Sequence, residues 1–109
     1  MDKISVDAVA RQEQAKAAAA ASGRSAATVH GGHENVLRQT VIAMNSGVEL
    51  SEHENPGEAT VLVLTGRVEL RVLDVSWEGR TGDLLVVPDG RHSLHAIENS
   101  TVLLTVAKS

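Results

Sequence analysis

The sequence predicts an all-β fold, an antiparallel barrel or sandwich, with one short helix in front of it. Three observations carry this reading. From residue 27 onward, short apolar segments recur between turn residues, with no helical pattern among them. The segment Arg67-Val68-Glu69-Leu70-Arg71-Val72 alternates strictly between charged and apolar residues, as a half-buried strand does. The stretch before residue 22 is rich in Ala, Gln, Glu and Lys, which are strong helix formers.

The helix is expected over about residues 5–21. Ser5 or Asp7 can cap its start, and Ser22-Gly23 stops it. Its large apolar side chains are few, chiefly Ile4, Val6 and Val9, so little area is available for docking. It is either an arm or lid, or a loosely docked terminal helix. Residues 1–26 are thus expected to form a helix and linker, and residues 27–109 the barrel.

Strand candidates are 35–44, 48–53, 60–65, 67–74, 83–87, 93–97 and 101–107. Between them fall Asn45-Ser46-Gly47, Asn55-Pro56-Gly57, Gly66, Glu78-Gly79-Arg80-Thr81-Gly82, Pro88-Asp89-Gly90 and Glu98-Asn99-Ser100. Residues 61–64, 84–87 and 102–106 are apolar at nearly every position, which implies cover on both faces. A barrel covers one face by itself. The alanine-rich helix can cover little of the other, so a homodimer is expected.

Composition removes several function classes. The 109 residues suffice for one core and not two. Net charge is −4, the basic residues are scattered, and a single Trp is the only aromatic among Phe, Tyr and Trp. Nucleic-acid binding, which asks for a basic footprint and stacking rings, is disfavoured. The absence of cysteine excludes disulfides, thiolate nucleophiles and cysteine-ligated zinc. The longest apolar run in the N-terminal stretch is the alanine run at 17–21, far short of the roughly 20 residues of a membrane span. No membrane partner and a cytoplasmic location are therefore expected.

Two motifs stand out. In the first, Gly47 and five further residues lead to His53, and Gly66 closes the pattern. In the second, Gly82 and five residues lead to Pro88-Asp89-Gly90 and then His92. Together they resemble the paired motifs of the cupin superfamily, G-x5-H-x-H-x(3,4)-E-x6-G and G-x5-P-x-G-x2-H-x3-N. The second loop is one residue short, and Ala96 stands where the pattern ends in asparagine. The resemblance implies a cupin-like antiparallel β-barrel, also described as a double-stranded β-helix or jelly roll.

Family membership also implies a metal site of three histidines and a glutamate. On this chain it carries over to His53 and His92, while Asn55 takes the second histidine position and Ala59 the glutamate position. Two of four ligands are missing, so the site is either degraded or rebuilt. A divalent transition metal could still be held if His33, in the pliable His30-Gly31-Gly32-His33 loop, joined His53 and His92. Glu58 could contribute only if the Pro56-Gly57 turn shifted the phase of its strand.

Other residues have two readings each. Arg38 lies within an otherwise apolar strand, where it either reaches the pocket and grips a carboxylate or sits on the outer face. His95, three beyond His92, should face away from it. Trp77 either packs before a turn or lines a pocket. The function expected is a small-ligand-binding barrel, regulatory or non-catalytic, with His53, Asn55, His92 and Arg38 at the ligand and a degraded metal site. The alternative is a metal-dependent enzyme, similar to cupin dioxygenases or isomerases, built on His53, His92 and His33.

Overall fold

Ser5 begins the helix by accepting the Ala8 N–H on its hydroxyl at 3.2 Å. The computed structural model describes residues 2–53 and 57–108, with the side chains of Glu52 and His53 outside that description. Helix α1 spans Val6–Ala19, and its buried residues are Ala10, Glu13 and Ala17. Two are alanines, as a helix with little apolar bulk requires, and polar side chains do the fastening. Gln14 Nε2 donates to Thr101 Oγ1 at 2.8 Å and to Thr65 Oγ1 at 3.1 Å. Asn45 Nδ2 donates to the Ala17 carbonyl at 3.2 Å. Glu13, only 2% exposed, accepts from Ser25 Oγ at 2.6 Å and lies 3.4 Å from Lys16 Nζ. A buried carboxylate is tolerable only with such partners.

Nine strands follow among the described residues: β1 Arg24–His30, β2 Leu37–Met44, β3 Glu49–His53, β4 Gly57–Thr65, β5 Arg67–Val72, β6 Val75–Arg80, β7 Leu84–Val87, β8 His92–Ala96 and β9 Ser100–Lys108. They form two antiparallel sheets, a five-stranded one in the order β1-β2-β9-β4-β7 and a four-stranded one in the order β3-β8-β5-β6. The expected all-β barrel with a short N-terminal helix is what the chain forms.

The core lies between the sheets. Ile42, Met44, Ala59, Val61, Val63, Val87 and Val102 come from the larger sheet, facing Val68, Leu70, Leu94 and Ala96 from the smaller. The alternation of β5 is realised as expected, with Val68 and Leu70 buried and Arg71 exposed. The outer face of the smaller sheet is charged, with Arg67 Nη2 bonded to Glu78 Oε1 at 3.1 Å. That hydrogen bond and the glutamate's charge raise the guanidinium pKa above its ordinary value.

Two strands are absent from the sequence reading. β1 carries small and polar residues in a shallow burial alternation, too little apolar bulk to announce a strand, and it forms by pairing with β2. It begins at Arg24, ahead of the expected change at residue 27. β6 contains Glu78-Gly79-Arg80, a turn signal by composition. Gly79 is instead a buried strand residue, because a Cβ there would lie 3.0 Å from Leu85 Cδ1 and 3.1 Å from Val63 Cγ2. The glycine permits a close approach between the sheets rather than a turn.

Candidate ligand site at the mouth of the barrel

One end of the barrel gathers the histidine positions that the motifs mark. There β3 and β9 end while β2, β4 and β8 begin. Antiparallel pairing of β3 with β8 sets His53 opposite His92, and Leu50 opposite Leu94. Three steps along β3 thus match two along β8, and a β-bulge absorbs the extra residue. Without it, strict alternation would bring Glu52 into register with His92. Asn55 lies outside the described residues.

His92 is buried, and its Nδ1 lies 3.2 Å from the Gly90 carbonyl. A carbonyl only accepts, so in this bond Nδ1 carries the proton. With Leu50, Leu70, Leu94 and Leu104, His92 lines a cavity of about 30 Å³, room for about one water. Around His92 the described side chains therefore fill the interior.

Room for a ligand lies nearer the rim. A cavity of about 350 Å³ is lined by Thr28, Arg38, Thr40, Leu104, Val106 and Lys108. Register explains why these side chains share a face. Thr28 stands opposite Thr40 and Thr40 opposite Leu104, while Arg38 stands opposite Val106. Ile42, two and four residues beyond Thr40 and Arg38, belongs to the core, so all of them face inward. Arg38, itself exposed, stands on this face of its strand and lines the cavity. Thr28, Thr40 and Lys108 were not singled out from sequence. The signal for Thr40 was available, because it alternates in phase with Ile42 and Met44.

Among the described residues, the metal-ligand positions do not complete a set. Ala59, 4% exposed, occupies the inward position of the family's glutamate, opposite Val106 and Val87. Glu58 is exposed and opposite Ala107 on the outer face, away from the inward position of Ala59. His33 is exposed in the 31–36 loop. Among the described residues, no group of three or more His, Asp or Glu side chains is placed to hold a metal ion. His95 faces away from His92, as expected, with Nε2 3.0 Å from Glu49 Oε1. Trp77, opposite Leu70 on the edge strand β6, is partly exposed and lines none of these cavities.

No protein-family model matches the chain, and no curated protein matches it either. Solved structures do. A conserved protein of unknown function from Streptococcus pyogenes is 30% identical, with a TM-score of 0.72 over 79% of this chain and 75% of its own. An RmlC-like cupin protein from Desulfovibrio desulfuricans is 28% identical, with a TM-score of 0.67 over 77% of this chain and 81% of its own. A cupin superfamily protein from Desulfitobacterium hafniense shares the fold at 17% identity, with a TM-score of 0.73 over 79% and 78%. With the motifs, the two-sheet barrel and these likenesses together, the chain belongs to the cupin superfamily. No helix among its described residues is long and apolar enough to cross a membrane.

Proposed function

We propose that this chain is a small-ligand-binding cupin, regulatory or non-catalytic, that takes its ligand at the barrel mouth and dispenses with the family's metal centre. Ala59 is the observation that carries the reading. It points inward where the family places its carboxylate ligand, and a methyl group cannot coordinate an ion. A concave space with an apolar floor and a few convergent polar groups is what a small-molecule site requires, and the rim cavity supplies it.

The test is elemental analysis of protein purified without an affinity tag or chelator, beside a His53→Ala/His92→Ala double mutant. Metal far below one equivalent per chain in both proteins is the expected result. Near-stoichiometric metal that disappears in the double mutant would overturn the reading. The alternative, a metal-dependent enzyme on His53, His92 and His33, would then take its place.

We also propose that the chain forms a homodimer through the outer face of the larger sheet. Leu103, Leu62 and Leu84 stand in one cross-strand row there, with Val86 beside them, and Leu84 and Val86 are 58% and 72% exposed. The partner that fits is a second copy. This row offers no charge for an unlike surface to complement, whereas an apolar stripe matches its own image across a two-fold axis. Sedimentation of the wild type should report a dimer, and Leu84→Glu/Val86→Glu a folded monomer. A monomeric wild type would remove the proposal.

A further inference from the structure

We infer that the mouth of this barrel is an anion site, built for a small molecule that carries one carboxylate on an apolar body. The inference rests on the ligand-binding reading above and names the class of ligand.

Two cations face the rim cavity, Arg38 from β2 and Lys108 from β9. Arg38 makes no hydrogen bond or ion pair among the described residues, so its guanidinium is uncommitted. Lys108 is held in place. Its Nζ donates to the Gly32 carbonyl at 3.1 Å, and its backbone N–H donates to the Val36 carbonyl at 2.9 Å. Among the described residues no acidic side chain lines the cavity, and the acidic neighbour on β4, Glu58, faces outward.

Around these charges the walls divide by chemistry. Thr28 and Thr40 bring their hydroxyls together, with the oxygens 3.4 Å apart, while Leu104 and Val106 form an apolar floor. Two cations and two hydroxyls, with no acid among the described residues, form a site for negative charge, not for a metal cation. A planar guanidinium matches the two oxygens of a carboxylate in a bidentate pair. The apolar floor offers nothing to further anionic oxygens but does bury hydrocarbon. A carboxylate with an aliphatic tail uses both halves of the cavity.

Octanoate is the probe, with octanol and octylammonium as its neutral and cationic counterparts, titrated into wild-type protein and Arg38→Gln by NMR. Octanoate is expected to shift the backbone resonances of Thr28, Thr40 and Leu104 saturably. It should bind roughly tenfold or more tightly than octanol, and the advantage should vanish in R38Q, as loss of a charge-assisted bidentate pair implies. R38Q breaks no hydrogen bond or ion pair among the described residues, so an unchanged melting temperature is expected to confirm its fold. Equal binding of octanoate and octanol, with no effect of R38Q, would overturn the anion site while leaving a ligand-binding mouth. Preference for octylammonium would overturn it as well. Failure of all three probes to shift these resonances would remove the anion site together with the rim site beneath it.

Discussion

Arg38 and Ala59 stand on either side of Val106, each its direct cross-strand partner, one on β2 and the other on β4. With strands about 4.8 Å apart, the two positions are separated by roughly 10 Å on one inward-facing row. The row ends in Val87 on β7. A guanidinium therefore stands at one end of a row that has lost the family's carboxylate further along.

Gly66 closes the first motif with φ of +95°, and a Cβ there would lie 2.4 Å from the Asn99 carbonyl oxygen. Gly82 opens the second motif with φ of +91°, but a Cβ there would meet nothing within 4 Å. Gly66→Ala is expected to cost upwards of about 2 kcal/mol, and Gly82→Ala only the backbone strain of about 1 kcal/mol. Urea unfolding of the two variants measures the difference. Equal losses would mean that the clash at Gly66 is relieved.

Leu70 is fully buried, paired across strands with Leu94 on one side and Trp77 on the other. Leu70→Ala should destabilise the barrel by about 2–5 kcal/mol, depending on how far the neighbouring cavity collapses. Chemical denaturation gives the value. A loss well under 1 kcal/mol would contradict its place in the core.

Leu73, at the turn between β5 and β6, is exposed and has φ of +55°. A branched side chain in the left-handed region is strained, and asparagine tolerates that region better. Leu73→Asn is expected to stabilise the protein by up to about 1 kcal/mol, seen as a higher melting temperature. A lower one would show that the leucine makes contacts worth more than its strain.

Gln14 joins α1 to two strands through Thr65 and Thr101, and Thr101 is fully buried. Gln14→Ala should cost about 1–2 kcal/mol and speed amide exchange in α1 more than in β9. Uniform acceleration across both elements would argue against a helix held locally by these bonds.

Much of the barrel was legible because its signals are local. Alternation in β5 and the glycines at the turns each act through one residue's backbone or burial. What escaped depends on partners distant in sequence. β1 is a strand because β2 lies beside it, and Gly79 is buried because Val63 and Leu85 press against it. The docking of α1 was illegible for a related reason. An alanine-rich helix shows no apolar face, and its fastening through Glu13, Gln14 and Asn45 relies on hydroxyl and carbonyl partners that only the fold supplies.

At the site, the sequence pointed to His92 and to the loss at Ala59, since both follow from motif spacing. The side of the strand taken by Arg38 could have been read from its phase with Ile42 and Met44. The contribution of Lys108 could not, because it depends on the alignment of β9 with β2.

The position of β9 also bears on how the protein is made. It is last of the nine strands in sequence, yet it lies at the centre of the larger sheet, between β2 and β4. While the ribosome is still delivering residues 100–108, β2 and β4 have no common neighbour, and each exposes an unpaired edge. Until this segment has been made and is free to pair, the larger sheet lacks its central strand, so its assembly proceeds through long-range pairing, which is intrinsically slow. In that interval the apolar segments of β2 and β4 are the surfaces a chaperone would have to shield.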